Sequence, residues 1–489
     1  MDRLTLSNRI KTACDIMRQK GKLTPLQYVE QLSWLLFLKL FDNLEEQKKL
    51  LNPQYESIFE PKYQWRNWIK AYSGEELLKF VDQDLIPYLA SLTGTPQKAK
   101  ISSIFKEIRN YMKSGYALGE LVQLIDEIDF SQPEDSQILS IVYEELLLYT
   151  AGEKGGGAGE FYTPRPIIRF MIKIVQPQIG EKILDPFCGS AGFLVESYKY
   201  LRDQVKTLND HNILQQETFY GQEAKAFPYL VGTMNCMLHG IESPNISFLE
   251  LGTFAEDIRS IPEDRKFDII LTNPPFGGEE DKKLLSNFPI KTSDTELAGL
   301  YYCMRKLKTG GRCGIVQPEG VLFRTSGAYL QVKKELLQNF NLHTIISLPP
   351  GVFANVSPKG GSGPKTNLLF FEKGLPTKEI WYYEHKHPLG LVTTRYGRTV
   401  EKTYSRNDPI KDEHLEDAYK KWQKREISEN SWIVKVEDII KNEYDLSAKN
   451  PNRVKTIEYP KPEELYTSIA EKEKEIEKIL EEINRLLKQ

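Results

Sequence analysis

The sequence predicts a doubly wound, mainly parallel α/β sheet, preceded by an all-α region and followed by a helical tail. Between residue 165 and about residue 386, short apolar runs of strand character alternate with helical stretches, which is typical of βαβ units. Before residue 150, the longest apolar runs have helical spacing. Near the end of the chain, Ile469, Ile476 and Ile483 follow the spacing of a heptad seam.

The composition is that of a folded protein with several domains. Of 489 residues, 40% are apolar and 27% are charged, and a chain of this length has room for roughly two to four domains. Lys and Arg number 65 against 68 Asp and Glu, so the net charge is −3, and nucleic acid would be bound through a local patch or a partner. The sequence has no G-x-x-x-x-G-K-[ST] loop, so nothing in it indicates an ATPase.

Nothing in the sequence predicts a membrane span, a secretory signal or a metal site. The most apolar stretch, Leu32 to Phe41, contains Lys39 and is too short to cross a bilayer. The first residues have no apolar signal core. The five cysteines are scattered without a C-x-x-C pair, which argues against zinc and disulfides and favours a reducing compartment. We therefore expect a cytoplasmic protein that binds no metal.

The chain is expected to divide into five parts. The first is a helical scaffold or docking domain, with helices predicted over 24–47, 75–89 and 139–150. The second holds five glycines within nine positions, which predicts a linker or a lid beside a site. The predicted parts are the helical domain 1–150, the Gly-rich segment 151–164, the α/β domain 165–390, an irregular extension 391–460 and a C-terminal helix 461–489 that is a candidate coiled coil.

Seven apolar runs are predicted as strands of the sheet, and a helix over 191–205 follows the first of them. The strands are 182–188, 218–223, 246–251, 267–273, 312–318, 343–349 and 366–372. Ligands of such sheets bind at the carboxyl ends of the strands. Polar residues at those ends are therefore the candidate site.

The first strand ends at Asp185 and continues into a turn of small residues that opens a helix. Gly189, Ser190 and Gly192 let the backbone of this turn approach a ligand. The turn lacks the G-x-G-x-x-G pattern of a dinucleotide site, and its acidic residue favours a ligand with a cationic amino group over one with phosphates. Glu223 ends the second strand, where a carboxylate can accept hydrogen bonds from ribose hydroxyls. A tight turn and a solvated glutamate without function stay open as alternatives.

The fourth strand delivers Asn-Pro-Pro-Phe at its end. Pro274 and Pro275 have fixed φ and no N–H, and they restrict Asn273 to an extended conformation. The side-chain oxygen of Asn273 and the carbonyl of Pro274 can then accept both protons of an exocyclic amino group. Phe276 offers a face on which a planar base can stack. A rigid turn alone would explain the prolines but not the asparagine and the aromatic residue.

Taken together, these motifs resemble the amino-group methyltransferases that use S-adenosylmethionine. In detail the chain resembles the modification subunit of type I restriction–modification systems, which methylates the exocyclic amine of adenine in DNA. The resemblance covers roughly residues 152–450. It also rests on the stretches 159-GEFYTPRPI-167, 232-GTMNCMLHGI-241, 310-GGRCGIVQPEGVLF-323, 347-SLPPGVF-353, 366-TNLLFFEKG-374 and 444-YDLSAKN-450. The implied fold for 165–390 is a Rossmann-like methyltransferase domain.

The resemblance also implies roles for the matching residues. It assigns the catalytic contacts with the target adenine to Asn273, Pro274, Pro275 and Phe276. It assigns cofactor binding to Glu160, Phe161, Tyr162, Thr163, Asp185, Gly189, Ser190, Gly192, Glu223 and Asp257. The chain departs from the family at Ala191, where Gly is usual, and near Gly252, where an acidic residue is usual.

The implied cofactor is S-adenosylmethionine, and the implied substrate is double-stranded DNA. The implied partners are a specificity subunit and a second copy of the chain, with a restriction (nuclease/translocase) subunit as an optional third partner and with no membrane. The stretch after Gly374 leaves little room for a DNA-reading domain, so a separate subunit is expected to select the sequence. Cytosine-C5 methylation would need a cysteine nucleophile, and the chain has no Pro-Cys dipeptide. Cytosine-N4 or protein-glutamine methylation, and a non-catalytic scaffold, stay open.

Overall fold

A computed structural model describes most of the chain. The described residues are 3–128, 163–278, 283–353, 365–393, 399–405 and 408–452, with isolated positions between 466 and 480. The helix predicted over 139–150, most of the Gly-rich segment and most of the C-terminal helix lie outside these residues. Of the predicted heptad seam, Ile476 is described and is exposed.

The N-terminal part is helical, as predicted. Its helices are α1 (Arg3–Gln19), α2 (Pro25–Leu51), α3 (Trp65–Ala71), α4 (Gly74–Phe80), α5 (Ile86–Ser91), α6 (Pro96–Phe105) and α7 (Gly115–Asp126). A π-helical turn, Val81–Leu85, joins α4 to α5. Helix α2 begins with proline, whose fixed φ suits the first turn, and the Thr24 N–H donates to Gln27 Oε1 at 2.8 Å. The helices predicted over 24–47 and 75–89 are confirmed.

Nine strands of the described chain form one mixed sheet. They are β1 (Ile183–Asp185), β2 (Phe219–Glu223), β3 (Asn245–Phe248), β4 (Phe267–Thr272), β5 (Leu307–Pro318), β6 (Phe340–Leu348), β7 (Thr366–Lys373), β8 (Glu379–Glu384) and β11 (Ser431–Lys435). Their order is β11-β8-β6-β7-β5-β4-β1-β2-β3. A separate antiparallel hairpin consists of β9 (Leu391–Thr393) and β10 (Thr399–Glu401).

The seven predicted strands are confirmed, with ends that differ by a few residues. Strands β3, β2, β1, β4 and β5 are mutually parallel, whereas β7 runs antiparallel between β5 and β6. Strands β8 and β11 of the sheet were not predicted from the sequence. Strand β8 is parallel to β6, and β11 is antiparallel to β8. The sheet therefore takes one strand from residues 391–460.

Helices cover both faces of the sheet. They are α8 (Arg165–Val175), α9 (Gly192–Arg202), α10 (Leu208–Gln216), α11 (Ala226–Leu238), α12 (Thr295–Lys306), α13 (Glu319–Phe323), α14 (Gly327–Asn339), α15 (Glu416–Lys424) and α16 (Val436–Lys441). Successive residues of β4 point to opposite faces, because the side chains of a strand alternate. Ile269 and Leu271 pack in the core with α8 and α9, and Ile270 packs in the core with α12 and α14.

The N-terminal helices share a hydrophobic core with α11. Leu230, Val231 and Met234 of α11 are buried in the same cluster as the apolar side chains of α2 and α6. At the edge of this contact, Lys48 Nζ lies 2.8 Å from Glu242 Oε1. The helical domain is thus packed directly on one helix of the α/β part.

Within the described ranges, no helix is long and apolar enough to span a membrane. The same ranges hold no group of three His, Cys, Asp or Glu side chains that could share a metal ion. The five cysteines are buried.

Candidate active site

The candidate site lies where the strand order of the sheet reverses. Strand β1 pairs with β2 on one side and with β4 on the other, so the connections leave in opposite directions and open a crevice at the carboxyl edge. Asp185 ends β1, and Asn273 directly follows β4. Thr272 Oγ1 donates to Asp185 Oδ1 at 2.7 Å and joins the two strand ends.

Asp185 is a buried carboxyl group beside the turn. It is 1% exposed, and Oδ1 also accepts a hydrogen bond from the Phe187 N–H at 3.2 Å. Burial raises the pKa of Asp185 to about 7, because the charged form is poorly solvated there. A cationic group placed next to it would favour the ionised form. This environment suits the ammonium group of a ligand.

Glu223 ties the end of β2 to the same turn. Its Oε2 accepts from the Gly189 N–H at 3.0 Å, and its Oε1 accepts from the N–H groups of Ala224 and Lys225, both at 2.9 Å. Burial raises the pKa of Glu223, and these backbone hydrogen bonds act against that shift. The carboxylate therefore positions the turn, a role that strand-end reasoning alone did not reveal.

Helix α11 holds the turn from the other side. Asn235 Nδ2 donates to the carbonyl of Ser190 at 2.7 Å, and both residues are buried. A Cβ on Gly232 would lie only 2.5 Å from the carbonyl oxygen of Gly189, so only glycine permits this approach of helix and turn. Asn235 was not predicted from the sequence, although it lies within a stretch that resembles the family.

The side chain of Asn273 is held in one orientation. Its Nδ2 donates to Thr163 Oγ1 at 3.0 Å, whereas its Oδ1 is buried and has no hydrogen-bond partner among the described residues. Pro274 packs so closely under α12 that a Cβ on Gly299 would lie 3.0 Å from Pro274 Cβ. The carbonyl of Pro275 accepts from Thr295 Oγ1 at 3.4 Å. Both prolines are thus fixed against the start of α12.

Two cavities flank these residues at the carboxyl edge. The smaller, about 20 Å³, has a lining that includes Thr163, Asp185, Ser190, Gly192 and Asn273. The larger, about 220 Å³, has a lining that includes Phe187, Gln222, Glu223, Phe254, Pro275 and Phe276. The predicted residues from three separate stretches therefore meet around one crevice. Glu160, Phe161 and Tyr162 lie outside the described residues.

Asp257 lies apart from both cavities. Its carboxylate is exposed and forms an ion pair with Arg259, whose guanidinium lowers the pKa of Asp257 to about 2. The neighbouring Glu256 points inward instead, where it accepts hydrogen bonds from Tyr302 and Lys306. The geometry gives Asp257 no contact with the crevice.

Phe276 is half-buried at the mouth of the larger cavity. Its ring lies edge-on to that of Phe353, with ring centroids 6.4 Å apart and planes at 81°. Phe353 belongs to the turn after β6 and is buried. The aromatic residue of the Asn-Pro-Pro-Phe motif is thus supported by a distant part of the chain.

Comparison with known proteins identifies the class. A family model described as N-6 DNA Methylase matches residues 134–459, and one described as the HsdM N-terminal domain matches residues 6–125. The chain belongs to the N-6 DNA methylase family. Within it, the chain groups with the methylase subunits of type I restriction enzymes, which confirms the family inferred from the sequence.

The similarity extends over nearly the whole chain. The EcoEI methylase subunit of Escherichia coli is 37% identical over 502 residues, which cover 99% of this chain and 98% of the relative. The EcoKI methylase subunit of E. coli K12 is 30% identical over 82% of this chain and 73% of its own length. A modification subunit assigned to a type I restriction enzyme of Vibrio vulnificus YJ016 shares 36% identity, with a TM-score of 0.81 over 94% of this chain and 99% of its own.

Proposed function

We propose that the chain is the methyl-transferring subunit of a type I restriction–modification complex and that it methylates the exocyclic N6 of adenine in DNA. One observation carries this proposal most directly. Asn273 Oδ1 is a buried acceptor that no described residue engages, at the end of a strand and adjacent in sequence to the carbonyl of Pro274. Burying an unpaired acceptor is costly unless a ligand completes it. An amino group brought to this oxygen would do so.

The residues of the crevice fit S-adenosylmethionine as methyl donor. When bound, this cofactor supplies a methyl group already activated on a sulfonium. Asp185, with its pKa of about 7, would pair with the amino group of the methionine moiety. Glu223 would accept from the ribose hydroxyls, and Phe254 lines the cavity into which the adenosine would extend. Thr163, Ser190 and Gly192 would contact the methionine end; Asp257 has no supporting contact.

The chain's own residues would contribute mainly orientation. Asn273 Oδ1 and the Pro274 carbonyl would accept the two protons of the amine, so that its lone pair turns toward the methyl group. As positive charge grows on the attacking nitrogen, these fixed oxygen dipoles would stabilise it. Phe276 would stack on the adenine, which must leave the duplex to reach the crevice.

We further propose that a specificity subunit selects the DNA sequence. The helical domain and the C-terminal helix are the candidate docking surfaces for that subunit, for a second copy of this chain and for a restriction subunit. If the isolated chain methylated one defined sequence, this division of labour would be wrong.

The test is transfer of labelled methyl from S-adenosylmethionine to DNA, with the products digested to nucleosides. The chain is assayed alone and with the specificity subunit encoded beside it. We expect N6-methyladenine with the partner, and its loss in Asn273→Ala while cofactor affinity changes little. Asn341→Ala is the matched control and should keep activity, because Asn341 lies at the amino end of β6, away from the carboxyl edge of the sheet. Methylcytosine or a methylated protein would point to the other amino acceptors, and an active Asn273→Ala would refute the assignment.

A further inference from the structure

Tyr404 lies in the extension that follows the predicted α/β domain, yet it contacts the turn that supports Phe276. We propose that Tyr404 is a positioning residue for methyl transfer: it holds the turn 349–353 so that Phe353 fixes the ring of Phe276. The consequence for catalysis rests on the function proposed above for Phe276. The mechanical link between Tyr404 and that ring is a separate claim and is argued from the contacts alone.

The hydroxyl of Tyr404 lies between two histidines. It is 2.9 Å from His385 Nε2 and 3.1 Å from His414 Nδ1. His414 Nδ1 also accepts from the Lys411 N–H at 3.4 Å, so this nitrogen is the unprotonated one. The hydroxyl must then donate to His414, and His385 Nε2–H must donate to the hydroxyl. Hydrogen bonds therefore run from His385 to Tyr404 and from Tyr404 to His414, and this order fixes the direction of the Tyr404 O–H.

Both histidines of this hydrogen-bonded series are tied to other parts of the fold. The His385 N–H donates to the carbonyl of Ser347 at 2.9 Å and thereby continues the pairing of β8 with β6. Next to His414, the carboxylate of Asp412 forms a two-pronged ion pair with Arg169 of α8, with distances of 2.9 and 2.6 Å. Tyr404 is therefore held between the sheet and helix α8.

The backbone of Tyr404 in turn defines where the turn 349–353 can lie. A Cβ on Gly351 would come within 2.0 Å of the carbonyl oxygen of Tyr404, and Gly351 has a φ of +92°. Only glycine meets both conditions. The two segments thus touch backbone to backbone, and a shift of one must displace the other.

The turn 349–353 also restricts the position of Phe276. Val352 and Phe353 are buried in the same core cluster as Tyr404. The ring of Phe353 then meets that of Phe276 edge-on, at a centroid distance of 6.4 Å. The plane on which a target base would stack is therefore set through Phe353 and Gly351 by Tyr404.

The experiment places 4-fluorophenylalanine at position 276 of the full chain and records its ¹⁹F spectrum. Tyr404→Phe removes only the hydroxyl and should change the chemical shift or broaden the signal. Tyr383→Phe is the matched control, because Tyr383 belongs to the same core cluster and the hydrogen bond it would lose is donated to Asp417, at 2.7 Å. In the complex with the specificity subunit, Tyr404→Phe should lower kcat about tenfold and leave the KM for S-adenosylmethionine unchanged.

An unchanged ¹⁹F signal in a folded Tyr404→Phe chain would overturn the inference. A changed signal together with a wild-type chain that transfers no methyl group would support the link and refute the proposed function instead. If Tyr404→Phe does not fold, as circular dichroism would reveal, His414→Leu is used instead. It removes the acceptor of the Tyr404 hydroxyl together with the ring stacked on Tyr404, and it must produce the same spectral change.

Discussion

Asn273 Nδ2 donates a hydrogen bond to Thr163 Oγ1 at 3.0 Å, across 110 residues of sequence. This contact decides which atom of the amide is available for chemistry. Because the NH₂ group donates to Thr163, Oδ1 is the acceptor left over, and in the part of the chain that the structure describes it is buried without a partner. The last residues of the Gly-rich segment, rather than the Asn-Pro-Pro-Phe motif itself, therefore set the orientation of the motif's first residue.

Thr163→Val should lower methyl transfer without abolishing it. Valine has nearly the shape of threonine but cannot accept the hydrogen bond, so the amide of Asn273 is free to rotate. We expect kcat to fall about fivefold, since one hydrogen bond of this kind contributes about 1 kcal/mol. Thr163→Ser keeps the hydroxyl and should retain most of the activity. Equal losses in both variants would mean that packing, rather than the hydrogen bond, is what matters.

Cofactor affinity should depend on pH through Asp185. Its pKa of about 7 in the free protein means that it is partly protonated at neutral pH, and a bound ammonium group would favour its ionised form. Affinity for S-adenosylhomocysteine, which carries the same amino group, should therefore rise about fivefold from pH 6 to pH 7. Calorimetric titrations across this range measure the effect. Asp185→Asn should remove the slope; a slope that persists in this variant would assign it to another group.

Gly232→Ala should weaken cofactor binding. The added Cβ would lie 2.5 Å from the Gly189 carbonyl oxygen, so α11 and the turn must separate. Gly119→Ala is the matched control, also a helical glycine, where the nearest atom to a new Cβ lies at 3.8 Å. The control should gain about 0.5 to 1 kcal/mol of stability and keep its affinity. Calorimetry and thermal unfolding of both variants separate the two effects, and unaltered binding by Gly232→Ala would contradict our view of the turn.

Acid should destabilise the protein through His385. Burial lowers the pKa of His385 from 6.5 to about 4, so the unfolded chain takes up a proton at a pH where the folded chain does not. The contribution of neutral His385 to the free energy of unfolding is fully present above pH 6.5. It is lost as the pH falls toward 4, and the total loss is about 3 kcal/mol. His385→Gln keeps an N–H donor that does not titrate. Its thermal midpoint should fall less between pH 7 and pH 5 than that of the wild type, and parallel curves would rule His385 out.

Most of the sheet could be predicted, because strands β1 to β7 are apolar runs bounded by turn residues. Strand β8 has a strong β-forming sequence, Ile-Trp-Tyr-Tyr, and aromatic enrichment could have identified it. Strand β11 is short and surrounded by polar residues, and only its pairing with β8 defines it. Propensity is a weak guide where tertiary pairing decides the structure.

The site was predictable at the strand ends and less so elsewhere. Asp185, Glu223 and Asn273 line the crevice because parallel strands bring their carboxyl ends to one edge. No local pattern distinguishes Asp257, which points to solvent, from Glu256, which points inward. The contacts of Thr163 with Asn273 and of Asn235 with Ser190 join distant stretches, and the sequence carries no local signal for them.

Helix α11 limits how freely parts of this chain can be exchanged in evolution or in the laboratory. The two family models divide the chain between residues 125 and 134, which invites chimaeras joined at that boundary. Yet Leu230 and Met234 of α11 pack in the core of the N-terminal helices, while Gly232 and Asn235 of the same helix contact the turn at Gly189 and Ser190. A foreign helical domain would have to match a helix that belongs to the other half. Compatible pairs will therefore be those whose α11 sequences vary together with α2 and α6.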